Sequence, residues 1–240
     1  MRKIVIAYHA YFFGDHYMTM MTEQFRLLLN ADLFHKASKL YIGVVDSPNK
    51  KPSWGGGWLN KFWSFSSSKE KDKVDNKVEI VFYPDNNELR DTLRWIKNYS
   101  INNANDYILF FHTKGITSYT DATESWRKYM EYFVIERWKD CIEKLDEGYD
   151  CCGVMWNKDT VYGDFPHFSG AFYWAKASYI NTLKHDMIDS EGRYGQEFWI
   201  GSNPDCKAFE FHNSNMNCIK AFQESRSHYS LPYDRSNYEK

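Results

Sequence analysis

The sequence predicts an α/β fold, one domain with a mostly parallel central sheet flanked by helices, and three observations lead there. Short apolar runs recur at residues 4–7, 40–45, 78–83 and 107–111, the pattern of strands buried on both faces. Segments with apolar residues three and four apart lie between several of them, the period of a helix packed on a sheet. No unit repeats along the 240 residues, a length that one domain and one core accommodate. Strands alternating with helices in this way form parallel sheets covered on both sides.

Residues 4–7 form the first strand and lead into Tyr8-His9-Ala10-Tyr11-Phe12-Phe13-Gly14-Asp15. Asp15 is placed to cap a helix running to about Asn30, with Met18, Met21, Phe25 and Leu28 or Leu29 on one face. The second strand, 40–45, ends in Asp46. Next comes an insertion, 47–76, carrying Trp54, Trp58, Phe62, Trp63 and Phe65, then a charged run through Lys77. A connection of that length is either functional or disordered. Its aromatics either meet an acceptor, a membrane surface or a partner protein, or they fold back onto the body.

A third strand at 78–83 precedes a helix over 86–100 with Leu89, Leu93, Trp95 and Ile96, and the fourth strand is 107–111. Asp121-Ala-Thr-Glu124 has the spacing of a capping box. The helix it opens carries Trp126, Met130, Phe133, Val134, Trp138, Cys141, Ile142 and Leu145, and stops at Gly148. Strands at 149–156 and 167–174, a helix over 176–183 and a last strand near 209–212 complete a domain reaching about residue 215. A polar extension, 216–240, either packs on the domain or is partly disordered.

A net charge of −2 provides no basic field for nucleic acid. The 9 Trp, 18 Tyr and 17 Phe fill a core, and such rings also stack on sugar faces. Five cysteines are odd in number and lack metal-binding spacing; adjacent Cys151 and Cys152 in a strand point to opposite faces. Reduced thiols fit a cytoplasmic protein. The start, Met-Arg-Lys-Ile-Val-Ile, reads as a strand and not as a signal peptide, and no run approaches the roughly 20 apolar residues of a membrane helix. The glycine fingerprint of dinucleotide enzymes and the phosphate loop of nucleotide triphosphatases are both absent.

Chemistry concentrates at Asp106-Tyr-Ile-Leu-Phe-Phe-His112-Thr113-Lys114-Gly115. Ligands of open α/β sheets bind beyond the carboxyl ends of the strands, where this run releases a histidine, a cation and a glycine. Lys114 supplies a mobile charge, His112 a donor, acceptor or metal ligand, and Gly115 a backbone free to turn. The set suits a phosphate-bearing substrate; a plain surface turn is the alternative.

Four segments together resemble a family of GT-A-fold glycosyltransferases found in large viruses and bacteria. They are Glu88 with Thr92-Leu93, His112-Thr-Lys-Gly115, Trp126-Arg-Lys-Tyr-Met-Glu-Tyr-Phe133, and His167-Phe-Ser-Gly-Ala-Phe-Tyr-Trp174 followed by Glu197-Phe-Trp. The resemblance spans about residues 1–205 and implies a single GT-A-like, Rossmann-like domain. It implies transfer of a hexose or deoxyhexose from a nucleoside-diphosphate sugar, with a UDP-sugar the expected donor, to a hydroxyl of a glycan or lipid-linked acceptor. The family often has Asn where this chain has Ala171, and many GT-A enzymes carry an Asp-x-Asp metal motif where this chain has His112-x-Lys114.

A departing diphosphate is neutralised either by a divalent ion, Mn²⁺ or Mg²⁺, or by preorganised cationic donors. Lys114 is the expected cation, and His112 the expected phosphate donor, with metal ligation its second role and a structural histidine the alternative. Tyr8, His9 and Asp46 are expected to meet base and ribose, and Glu88 the ribose or only the helix dipole. Ser169 and Gly170 are expected beside the transferred sugar, with Trp174 as wall or core. Glu197, framed by Phe198 and Trp199, is the candidate base for the acceptor hydroxyl, or else a structural partner of Arg193. Asp150 falls at the wrong end of the sheet and reads as structural; His212 and His228 either reach back over the diphosphate or lie on the surface. Two rival readings are a non-catalytic glycan- or nucleotide-sugar-binding module and a sugar-phosphate nucleotidyltransferase.

Overall fold

The computed structural model describes residues 2–46, 76–83, 89–158, 165–189, 193–217 and 219–239. Nearly all of the 47–76 insertion, Glu88, and the side chains of Asp46 and Arg193 lie outside the described residues, as do the readings placed on them. The chain runs through β1 (Ile4–Phe12), α1 (Tyr17–Asn30), α2 (Leu33–Lys36), β2 (Lys39–Asp46), β3 (Val78–Tyr83), α3 (Arg90–Asn102) and β4 (Tyr107–His112). It continues with α4 (Asp121–Glu131), α5 (Trp138–Asp146), β5 (Cys151–Gly153), β6 (Trp156–Asn157), β7 (His167–Phe168), β8 (Tyr173–Lys176) and the short helix α6 (Ala177–Ile180). Helices α7 (Asp186–Asp189) and α8 (Arg193–Phe198), strand β9 (Ala208–Glu210) and helix α9 (Ile219–Gln223) follow.

Seven strands form one sheet in the order β3-β2-β1-β4-β8-β5-β9, and β6 pairs with β7 apart from it. All seven run parallel except β8, which is antiparallel to both β4 and β5. The expected mostly parallel α/β sheet is therefore present. β1 neighbours β2 on one side and β4 on the other, so the strand order reverses between β1 and β4. That point opens a crevice at the carboxyl ends of these two strands.

Period-two alternation sorts the strand side chains into two cores. Ile6, Tyr8, Leu109 and Phe111 face Met21, Phe25 and Leu28 of α1 and Met130 and Phe133 beyond. Val5, Ala7, Ile108 and Phe110 face Leu93 and Ile96 of α3 and Ile180, Ile188 and Trp199. Cys152 joins the first core and Cys151 the second, as adjacent strand residues must. Cys141, Cys151, Cys152 and Cys206 are all free thiols.

Several elements differ from the sequence reading. Asp15 does not cap α1: the cap position is His16, which makes no side-chain cap bond. The capping box before α4 is Thr120 with Thr123, one residue ahead of the expected Asp121–Glu124 pair. Thr120 is the residue with extended backbone, and its hydroxyl accepts from Thr123 N, while Glu124 turns to Lys128 and Tyr119. The long helix expected from there to Gly148 is interrupted: Tyr132–Glu136 is a π turn and Arg137 leaves helical geometry. Within that wider turn the carbonyls of Phe133 and Val134 accept from Cys141 Sγ and Trp174 Nε1. The strand expected at 149–156 is broken by Met155 at φ 56°, and the one at 167–174 by Gly170 and Ala171, both left-handed, which turn the chain between β7 and β8.

Candidate ligand pocket

β1 and β4 are paired so that His9 lies beside His112. The hook between the two strands continues past the ladder: Thr113 N donates to His9 O, and Thr113 Oγ1 accepts from Tyr11 N at 2.9 Å. The chain then doubles back through Gly115 at φ 84°. A β-carbon there would stand 2.9 Å from Thr123 Cβ, so only glycine fits the turn. Thr123 Oγ1 donates to Ser118 O at 2.8 Å and fastens this loop to the start of α4.

The result is a pocket of about 230 Å³ beyond the sheet, between His9 and Tyr11 of β1, the loop from His112 to Ser118, Leu89, Glu197 and Tyr229. Helix α8 carries Glu197 to the pocket wall, and Gln196 beside it accepts from Leu89 N at 2.8 Å, docking α8 onto the approach to α3.

Lys114 is 6% exposed. Its ammonium lies 4.3 Å from the centre of the Trp126 ring and 5.5 Å from that of Tyr229. One hydrogen bond, a long one of 3.4 Å, runs to the Tyr229 hydroxyl, and among the described residues no carboxylate pairs with it. Among the described residues this ammonium, nearly out of water, has aromatic faces on two sides and no anion to neutralise its charge.

His112 Nε2 stands 2.9 Å from Gly170 O, and since a carbonyl only accepts, that nitrogen bears the proton. His112 thus binds the Ser169–Ala171 turn to the end of β4. Gly170 is required there: a β-carbon would meet Met130 Sδ at 2.5 Å. His9 Nδ1 is 2.9 Å from Thr92 Oγ1 of α3, and burial pushes its pKa down to about 4, so it is neutral at physiological pH. Burial also lowers His167, against the opposing pull of Glu197.

The structure brings together His9, His112, Lys114 and Glu197. It removes others. Tyr8 and Trp174 are fully buried, so Tyr8 is not available to base or ribose, and Trp174 is core, one of the two places expected for it. Tyr8 precedes His9 on the same strand and so faces the opposite core, donating to Gln24 Oε1 at 2.7 Å; Trp174 donates to Val134 O at 2.7 Å. Ser169 and Gly170 lie behind the pocket, Ser169 Oγ accepting from Asn157, Gly170 against His112. Asp46 ends β2. Asp150, at the far end of β5, accepts from Lys207 N and is structural as expected. Neither His212 nor His228 lines the pocket; His212 is half-buried and His228 is buried. His212 Nδ1 is 2.9 Å from Tyr129 OH, and His228 is fully buried, stacked on Trp126 with ring centres 5.3 Å apart.

Sequence reasoning missed Tyr229, and also the buried network behind the pocket. Arg127 Nη1 donates to Glu131, its Nη2 to Glu23, and Gln24 Nε2 bridges Glu131 Oε1 and His112 O. Burial raises the Glu131 pKa while Arg127 and Gln24 oppose it. Arg127 stands one residue after the Trp126 that the helix pattern singled out, and its spacing of four from Glu131 was the available signal.

Fold and pocket together define an α/β protein with a pocket at its topological switch point. Residues 16–188 match the model of DUF8361, a domain of unknown function, and the chain belongs to that family. No curated protein matches it. Among solved structures a 4-diphosphocytidyl-2C-methyl-D-erythritol synthase aligns with 94% of this chain and 98% of its own, at 10% identity and a TM-score of 0.39, too distant to bear on function. No helix among the described residues is long and apolar enough to cross a membrane.

Proposed function

We propose that this chain is a glycosyltransferase that moves a sugar from a nucleoside-diphosphate sugar to a hydroxyl of a glycan or lipid-linked acceptor. The observation that carries it is Lys114, an ammonium 6% exposed on the wall of the switch-point pocket with no carboxylate partner among the described residues. The motif resemblance at His112–Gly115, at Trp126–Phe133 and at His167–Trp174 supports the same reading.

When the bond from the anomeric carbon to the diphosphate breaks, negative charge grows on the leaving oxygen. Lys114 stands ready to neutralise it: at about 4 Å and an effective dielectric near 20, one such pair is worth roughly 4 kcal/mol before desolvation. Glu197 faces the same pocket and takes the proton of the acceptor hydroxyl. His112 holds the Gly170 turn in place, and His9 is a neutral hydrogen-bonding group for the donor. The pocket's roughly 230 Å³ accommodates a phosphate-bearing fragment, so base and ribose extend beyond it over the ends of β1 to β3. Among the described residues no three His, Cys, Asp or Glu side chains gather to hold a metal ion, and no step is assigned to one.

The same small volume favours one other reading, a module that holds a phosphorylated sugar without transferring it. Release of free nucleoside diphosphate from UDP-, GDP- and dTDP-sugars separates the two. Transfer requires release by the wild type, reduced about a hundredfold or more in Lys114→Ala and in Glu197→Gln. Binding without release assigns the module.

A further inference from the structure

The pocket is closed on one side by a residue from well outside the family's matched span. Residues 16–188 match the family, whereas Tyr229 comes from the C-terminal segment. That segment is held by contacts along its length. His228 stacks on Trp126 and lies 2.8 Å from Ser214 Oγ, Tyr233 N donates to Ser125 Oγ at 2.8 Å, and the Tyr233 and Tyr238 rings pack on Tyr129. Arg235 forms a two-pronged pair with Glu136. The segment is therefore a strap across α4 and the π turn, and it delivers Tyr229 edge-on to Trp126, with ring centres 4.9 Å apart.

The polarity of the Lys114–Tyr229 contact carries the argument. Lys114 has only protons to give, so the Tyr229 oxygen accepts, and the phenol's own proton points elsewhere. No described residue accepts it. Beside it Trp126 Nε1 and His228 Nδ1 are buried with no hydrogen-bond partner, an arrangement that native interiors rarely leave unexplained. Lys114 and Tyr229 thus present adjacent donors to one pocket.

We propose that Tyr229 is a ligand-binding residue: its hydroxyl donates to the same phosphate oxygens that Lys114 neutralises, so that the C-terminal strap completes a diphosphate site. This rests on the reading of the pocket as a phosphate site, and it makes a diphosphate-tight pocket a property of chains that carry the strap.

Calorimetric titration of the full chain with inorganic pyrophosphate and with UDP tests it, using wild type, Tyr229→Phe and Tyr229→Ala. Tyr229→Phe keeps the ring against Trp126 and removes only the hydroxyl, so its melting temperature should match the wild type's. It should bind both probes about tenfold more weakly, the loss expected for one hydrogen bond to a charged group. Equal affinity in Tyr229→Phe and wild type overturns the proposal. So does tighter binding in either variant, which would make the tyrosine a plug that the ligand displaces. A wild type that binds neither probe removes the phosphate reading itself, and Tyr229's role with it.

Discussion

Lys97 and Lys114 are withdrawn from solvent to a similar degree, 9% and 6% exposed, yet their ammonium groups keep different company. Lys97, on α3, donates to three backbone carbonyls, Ile180 O and Asn181 O at 3.0 Å and Leu183 O at 3.1 Å. All three of its protons are used, and it staples α3 to the chain that leaves α6. Lys114 has one long bond to a hydroxyl and two aromatic faces. Burial alone does not mark a functional cation. The distinction lies in whether the protein itself supplies the acceptors. Where it does, the residue builds the fold; where it does not, the cation is left open to an acceptor from outside, the role proposed for Lys114.

Four measurements break or sharpen this contrast, taken from the largest effect on stability to the smallest, the pH effect being counted per pH unit. Arg127 is a cation whose charge is met within the fold, its Nη1 by Glu131 and its Nη2 by Glu23. Arg127→Met leaves the buried Glu131 carboxylate without its cation and should cost about 3–5 kcal/mol in denaturant unfolding. Lys97→Met leaves three carbonyls without their donor, a loss of about 2–3 kcal/mol by the same assay.

The third effect depends on pH. Burial pushes His9 and His228 from 6.5 down to about 4, so both are neutral in the folded protein. The unfolded chain takes up their protons below pH 6.5. Stability should therefore be fully present above pH 6.5 and fall as pH drops towards 4, by at most about 1.4 kcal/mol per pH unit for each histidine. Unfolding curves across that range should be shallower in pH for His228→Gln; an unchanged slope would show that His228 is already charged in the fold. The smallest effect is expected at Lys114. Lys114→Ala should stay within about 1 kcal/mol of the wild type, since it removes cation–π contacts and no required donor. A loss as large as that of Lys97→Met would make Lys114 a second structural staple.

Much of the scaffold was legible in the sequence, because apolar runs and helical spacing report burial directly. The β4 run into His112 and Lys114 marked the pocket's floor, since a polar cluster after a buried strand has few other places to go. Tyr8 was misplaced by ignoring strand parity: it and His9 are neighbours in sequence and sit on opposite faces of one sheet. The breaks at Tyr132–Glu136 and at Gly170–Ala171 were hidden because both are set by tertiary contacts, Trp174 on Val134 O and His112 on Gly170 O. Tyr229 was invisible for a related reason. It lies 115 residues from Lys114, in a segment whose polar composition gave no sign that its aromatics clamp α4.

The most direct test of the central claim is a thermal-shift comparison of wild type and Lys114→Ala against UDP, GDP, dTDP and CMP, each with and without Mn²⁺. At about 100 times its dissociation constant, a ligand stabilises the folded state by roughly 2.7 kcal/mol. The account predicts that one nucleoside diphosphate raises the melting temperature of the wild type, without need of Mn²⁺, and leaves that of Lys114→Ala unchanged. No shift with any nucleotide, or an equal shift in Lys114→Ala, would contradict it.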